Sequence, residues 1–177
     1  MSKNQLKENY YKYRFVPYSE ESERINKVLQ FFQYYAPAMP SSFACNYEPT
    51  YYDSFIEVIN TCYITAEFIS SNQSFIKIAQ KNRLDGFTID IRKNQLICKR
   101  KKKTKVNVEK DDCQCFLRHL RNAIAHGNTY GKFIATRTYL IFEDYDYHGS
   151  EKVMTAKIVV SKTTLEKIMK AVGGKHI

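Results

Sequence analysis

Residues 113–127 read Cys113-Gln-Cys-Phe-Leu-Arg-His-Leu-Arg-Asn-Ala-Ile-Ala-His126-Gly127. At about 100° per residue, the apolar side chains of this stretch fall within an arc of roughly 120°. They are Phe116, Leu117, Leu120, Ala123 and Ile124. The opposite side, about 160° wide, carries two arginines, two histidines and an asparagine. The pattern predicts a helix that begins at Asp111 or Asp112, ends at Gly127 and packs one face on a core.

Outward from this stretch, the apolar spacing predicts further helices at residues 19–36, 50–70 and 74–84, and a closing helix at 163–172. Ser19 is placed to cap the first of them. Thr50 and Thr163 each open a capping box, with an acid three residues later. Gly86 and Gly173 follow the ends of the third and the closing helix, where glycine commonly terminates helices.

The strand signals lie in two regions of alternating apolar and polar residues. Residues 87–98, followed by Val106 and Val108, indicate a small hairpin or meander with a basic run at its edge. Residues 133–142 and 153–160 indicate a second antiparallel pair, joined around residues 145–149. No linker or repeat interrupts this order, so residues 1–177 are interpreted as one α+β domain.

The charge is concentrated in the second half of the chain. The formal net charge is +10, but residues 1–80 hold 7 Lys and Arg against 8 Asp and Glu, whereas residues 81–177 hold 21 against 10. Six of the basic residues form the run Lys99-Arg100-Lys101-Lys102-Lys103-Thr104-Lys105. This asymmetry favours a polyanionic partner, with RNA or DNA ahead of a membrane surface. The alternative is a lysine-rich turn that keeps a sheet edge soluble.

Composition excludes several other classes of protein. The 14 Tyr and 11 Phe exclude a disordered chain, and no apolar run is long enough to predict a membrane span. The first residues are polar, which argues against a secretory signal. The five cysteines are an odd number, which favours a reduced, cytoplasmic compartment. Cys113 and Cys115 lack the usual two-residue gap of a zinc pair, so no metal is expected.

The polar side of the 113–127 helix has the residue types that phosphodiester chemistry requires. It carries no acid and no lysine; its arginines offer a fork of donors for phosphate, and histidine transfers protons near neutral pH. Arg121 lies roughly 140° around the helix from His126, so two copies of the helix facing each other would let the groups converge. The alternatives are a solvated face on which His126 caps the helix, and a cysteine enzyme using Cys115 and His119. The cysteine enzyme would lack an orienting residue and an oxyanion donor.

Residues 120–127, Leu-Arg-Asn-Ala-Ile-Ala-His-Gly, resemble the Arg-polar-x-x-x-His signature of HEPN domains (higher eukaryotes and prokaryotes nucleotide-binding). This form of the signature is similar to that of HEPN proteins in bacterial toxin, abortive-infection and antiviral defence systems. The resemblance implies an α+β fold described as a HEPN-like helical bundle of about four to five helices with two small β-hairpins.

The resemblance further implies a metal-independent endoribonuclease without a cofactor, acting as a homodimer on RNA, with an antitoxin or defence-system protein as a possible partner. His126 would be the general base or acid for attack of the ribose 2′-OH, Arg121 would hold the scissile phosphate, and Asn122 would orient one of them. The other residues expected to bind RNA are basic or lie on the same helix side: Arg118, His119, Lys99, Arg100, Lys101, Lys102, Lys103 and Lys105.

Two positions differ from the family pattern or remain open. Related toxins often carry a modifiable tyrosine two residues after the motif histidine, where this chain has Asn128 and its first tyrosine is Tyr130. Family members also tend to have an acid on an earlier helix near the site, for which Glu57 and Glu67 are both candidates.

The alternative function is a non-catalytic HEPN-like module that binds RNA, a nucleotide or a partner protein.

Overall fold

The computed structural model describes residues 11–12, 20–35, 50–70, 75, 77–78, 93–100, 112–134 and 136–173. The described residues form four α-helices and six β-strands. The helices are α1 (Glu20–Gln30, continued by a π-helical turn at Phe31–Tyr35), α2 (Thr50–Thr61), α3 (Asp112–Ala125) and α4 (Lys162–Gly173). The strands are β1 (Tyr11–Lys12), β2 (Thr65–Ile69), β3 (Gln95–Lys99), β4 (Thr129–Ile134), β5 (Arg137–His148) and β6 (Glu151–Ser161).

All six strands belong to one mixed sheet, in the order β1-β4-β5-β6-β3-β2. Strands β2 and β3 pair in parallel, and every other neighbouring pair is antiparallel. The fold is therefore α+β, but the expected helical bundle with two small β-hairpins is wrong. Strand β3, expected in a local hairpin, instead lies between β2 and β6, which are far from it in sequence. Residues 87–91 and 101–110 lie outside the described residues.

The main core lies between one face of the sheet and the helices. On β5, Leu140 and Phe142 alternate with residues of the other face, because successive side chains of a strand point in opposite directions. The five apolar residues predicted on α3 are all buried in this core. Ile25, Val28 and Leu29 of α1 and Phe32 of its π-helical turn, which follow helical spacing, are buried there as well. Phe116 packs against Phe55 of α2 at 5.3 Å and Phe32 of the π-helical turn at 6.5 Å between ring centroids. These contacts pack α3 against α2 and the π-helical turn.

The expected helix at residues 50–70 is wrong in its second half. Helix α2 ends in a Schellman motif, in which the Ile64 N–H donates to the Ile59 carbonyl and the Tyr63 N–H donates to the Asn60 carbonyl. Tyr63 adopts the left-handed conformation that closes this motif, with φ at 49°. The following residues form β2, which pairs along its full length with β3.

Replacing Tyr63 with glycine is expected to stabilise the fold by about 1 kcal/mol. The left-handed conformation is costly for a residue with a Cβ atom, and the Tyr63 side chain is 90% exposed, so little packing is lost. Chemical denaturation measures the free energy of unfolding. Tyr63→Ala is the control, because alanine retains the Cβ and should gain little. Equal stabilities of the glycine and alanine variants would contradict the assignment of strain to this position.

The second face of the sheet carries a smaller apolar cluster and a buried ion pair. Lys157 of β6 is 3% exposed, and its Nζ lies 2.6 Å from Glu143 Oε1 on β5. The Tyr145 hydroxyl donates to Glu143 Oε2 at 2.6 Å. Burial raises the pKa of Tyr145, and the contact with Glu143 adds to the effect; burial also raises the pKa of Tyr130 on β4. Both phenols therefore remain protonated at neutral pH and contribute to this polar cluster as neutral groups.

The ends of the remaining elements differ modestly from expectation. Helix α4 is capped by Ser161, whose Oγ accepts from the Thr164 N–H at 3.2 Å, rather than by Thr163. The Asn94 side chain joins this cap to the sheet, because its Oδ1 accepts from the Ser161 N–H at 2.8 Å.

Strands β5 and β6 extend to a tight turn at residues 149–150. Of the expected helix at 74–84, Phe75, Lys77 and Ile78 are described, and they are helical.

Candidate functional site

The C-terminal end of α3 is fixed by a second Schellman motif. Gly127 has φ at 66°, its N–H donates to the Ile124 carbonyl, and the Asn128 N–H donates to the Ala123 carbonyl. The Asn128 carbonyl then accepts from the Glu143 N–H of β5 at 3.1 Å. Glycine suits the left-handed position, so the chain turns at once from the helix into β4. The last turn of α3 is therefore held beside the middle of β5.

Arg121 and His126 have exposed side chains at this end of α3. Their separation of five residues places them roughly 140° apart around the helix. Within the described residues, no hydrogen bond or ion pair engages either side chain. A single α3 therefore presents these two groups in different directions rather than converging on one atom.

Asn122 is half-buried and lies between the exposed motif residues and the sheet. Its Nδ2 donates to Asp144 Oδ2 of β5 at 3.3 Å. Its backbone carbonyl accepts from the His126 N–H at 2.9 Å, as expected for the last helical turn. The side chain predicted to orient the site is thus itself oriented by a carboxylate from the sheet.

The expected solvent-facing placement of His119 is wrong. Its side chain is 1% exposed, and its Nδ1 lies within hydrogen-bond distance of Asp144 Oδ2, at 2.7 Å. The Nε2 atom lies 2.7 Å from the Lys99 carbonyl oxygen at the end of β3. His119 therefore ties α3 to β3 and β5 and has no surface to offer RNA. Cys115 is also fully buried, which removes the accessible thiol that the cysteine-enzyme alternative requires.

The remaining residues expected to bind RNA are partly engaged inside the fold. Arg118 is half-buried, and its Nη2 donates to the Lys99 carbonyl at 3.0 Å. Arg100 forms an ion pair with Asp112 at the start of α3 and lies 5.8 Å from the Phe68 ring centroid. The Lys99 side chain is half-buried. The rest of the basic run lies outside the described residues, and its members are Lys101, Lys102, Lys103 and Lys105.

Asp144 is the residue of this site that the sequence analysis missed. It is 2% exposed, and the same carboxyl oxygen is hydrogen-bonded to both His119 and Asn122. Its position was readable from the sequence, because Asp144 is in phase with Leu140 and Phe142 along β5. An acid on the apolar face of a strand needs a donor from the element packed above it. Here that element is α3.

The two earlier acids occupy different places. Glu57 lies on α2 and is exposed, whereas Glu67 lies on β2 rather than on a helix and is half-buried. Among the described residues, the acid bonded to the motif is Asp144 rather than either of these. Tyr130 lies on β4 and is half-buried, with its pKa raised by burial.

A comparison with protein-family models matches residues 1–175 to a family described as HEPN pEK499 p136. The chain belongs to this HEPN family. Its HEPN signature is therefore not a chance match of a few residues, since the match spans almost the whole chain. Separate searches of curated proteins and of solved structures found no match for this HEPN domain. Within the described part of the chain, no helix is long and apolar enough to cross a membrane.

Proposed function

We propose that this HEPN domain is a metal-independent endoribonuclease that acts in antiviral defence or as a toxin in the cytoplasm. His126 acts as general base or acid at the ribose 2′-OH, Arg121 binds the scissile phosphate, and Asn122 orients the reacting groups. The observation that carries the proposal is the exposure of Arg121 and His126 on α3, within a chain that belongs to the HEPN family. At one helix end, the arginine supplies hydrogen-bond donors that bind a phosphate group, and the histidine supplies a proton-transfer group. Neither role requires a metal ion.

The proposed site is shared between two protomers. Because Arg121 and His126 point roughly 140° apart on one α3, the arginine of one protomer acts with the histidine of its partner. Sedimentation at micromolar concentration should therefore give a dimer, and a strict monomer would remove the shared site. An antitoxin or a defence-system protein is the proposed partner of this domain.

The proposal is tested by incubating the purified chain with single-stranded and structured RNA in excess EDTA. Cleavage should proceed, because the proposed groups need no divalent cation. Intact RNA after prolonged incubation would contradict the proposal. RNA that is bound but intact would instead favour a non-catalytic binding module.

The basic run at residues 99–105 is proposed to guide RNA to α3. Replacing Lys101, Lys102, Lys103 and Lys105 with glutamine should weaken RNA binding and flatten its dependence on salt, because fewer counterions are released. Fluorescence anisotropy over a salt series measures both effects. Lys167→Gln and Lys170→Gln, which change exposed lysines of α4, form the control. An unchanged salt slope in the four-residue variant would assign the run to solubility alone.

A further inference from the structure

The buried carboxylate of Asp144 lies directly beneath the motif on α3. It is 2% exposed, and its Oδ2 lies 2.7 Å from His119 Nδ1 and accepts from Asn122 Nδ2 at 3.3 Å. We propose that Asp144 is a positioning residue of the HEPN site, which orients the Asn122 amide and presents its carbonyl oxygen to the substrate. This inference rests on the proposed ribonuclease function.

The chemistry of the two side chains determines the orientation of the amide. The Asn122 NH₂ group faces Asp144, because its Nδ2 donates to a carboxyl oxygen, which is an acceptor. The amide is planar, which leaves Oδ1 as the atom not used by Asp144. An oxygen held in this way accepts a hydrogen bond from a ribose hydroxyl or from the His126 ring. Without Asp144 the amide could rotate and present a donor instead.

The backbone around Asp144 also places it with precision. On one side, the Glu143 N–H holds the Asn128 carbonyl just beyond the end of α3. On the other side, the β5–β6 register shifts between Asp144 and Tyr145, which pair with Ala156 and Met154 respectively. Such a bulge bends a strand pair and redirects neighbouring side chains, often beside active sites. Asp144 thus lies between a fixed helix end and a register shift of the β5–β6 hairpin.

Two routes connect Asp144 to activity, and they predict different results. If Asp144 acts through Asn122, its replacement affects the chemical step, and this effect requires the Asn122 amide to be present. Through His119, Asp144 would affect the anchoring of α3 and would act whether or not Asn122 is present. A double-mutant cycle separates the two routes, because coupling appears only between residues that act together.

The experiment measures kcat and KM for an RNA oligonucleotide in EDTA for Asp144→Ala, Asn122→Ala and the double variant. We expect Asp144→Ala to lower kcat about 10-fold with KM changed less than about 2-fold, since misplacement of a reacting group mainly affects the transition state. In the Asn122→Ala background, the same change should alter kcat less than about 2-fold. Asp146→Ala, which changes an exposed acid two residues along β5, is the control and should leave both constants unchanged.

An equal loss of kcat in both backgrounds would overturn the inference and leave Asp144 with an anchoring role only. Asp144→Asn serves if the alanine variant fails to fold, because it keeps the shape of the side chain but replaces one of its two acceptor oxygens with an NH₂ group. Its loss of kcat should also vanish in the Asn122→Ala background. The side-chain ¹⁵N–¹H signals of Asn122 give a readout independent of activity, and they should shift in either Asp144 variant. Unshifted signals would overturn the inference, whereas an inactive wild type would overturn the proposed function itself.

Discussion

Replacing His126 with alanine should slow RNA cleavage by about 10²–10⁴-fold, the usual contribution of a general acid or base. The His126 side chain is exposed at the end of α3, so its removal should leave packing and stability nearly unchanged. RNA binding should also persist, because the phosphate contact is assigned to Arg121. Single-turnover rates in EDTA, measured with RNA-binding affinity, check both expectations.

The matched control is His148→Ala, which removes another exposed histidine at the end of β5. It should cleave RNA at a rate within roughly 2-fold of the wild type, as expected for a surface change remote from the chemistry. If His126→Ala cleaves as fast as the wild type, His126 is not the proton-transfer group. If both variants lose activity equally, the loss cannot be assigned to the motif.

Replacing Lys157 with alanine should lower the free energy of unfolding by about 3–5 kcal/mol, the typical cost of removing one partner of a buried ion pair. The change removes the Lys157 ammonium group from beside the Glu143 carboxylate, whose other oxygen accepts from the Tyr145 hydroxyl on the second face of the sheet. Lys157 lies directly opposite Ile97 of β3 and Glu143 of β5, so the change also removes the central side chain of this three-strand row. Urea denaturation monitored by circular dichroism measures the loss.

Lys167→Ala on α4 is the control for this stability measurement, because Lys167 is exposed. Its effect should stay within about 0.5 kcal/mol, as for most surface substitutions. A Lys157→Ala variant as stable as Lys167→Ala would mean that Glu143 finds another partner or becomes protonated. The double variant Lys157→Met with Glu143→Leu should recover part of the loss, because it leaves no unpaired buried charge.

Helical periodicity predicted the apolar side of α3 correctly, because five residues at helical spacing must share a face. The same reasoning failed at residues 62–70, where Cys62, Ala66 and Ile69 also follow helical spacing. There the Schellman motif at Tyr63 ends α2, and pairing with β3, about thirty residues away, forms a strand instead. Long-range pairing of this kind is not encoded in the local spacing of apolar residues.

The residue types on the polar side of α3 were evident from the sequence, but the exposure of their side chains was predicted only in part. Arg121 and His126 are exposed as expected, but His119 is buried because a carboxylate 25 residues later in the chain lies opposite it. A helical projection treats every polar residue as facing water, and it contains no information on partners from the sheet. The period-two pattern of β5 would have placed Asp144 against the helices and indicated a buried polar contact with α3.

The most direct test of the central claim is the identity of the RNA ends that the wild-type chain produces in excess EDTA. Attack of the ribose 2′-OH on the adjacent phosphate, assisted by His126 and Arg121, should yield a 2′,3′-cyclic phosphate and a 5′-OH. Mass spectrometry of the products distinguishes these ends from others. Products with a 5′-phosphate and a 3′-OH, or no products at all, would contradict the account.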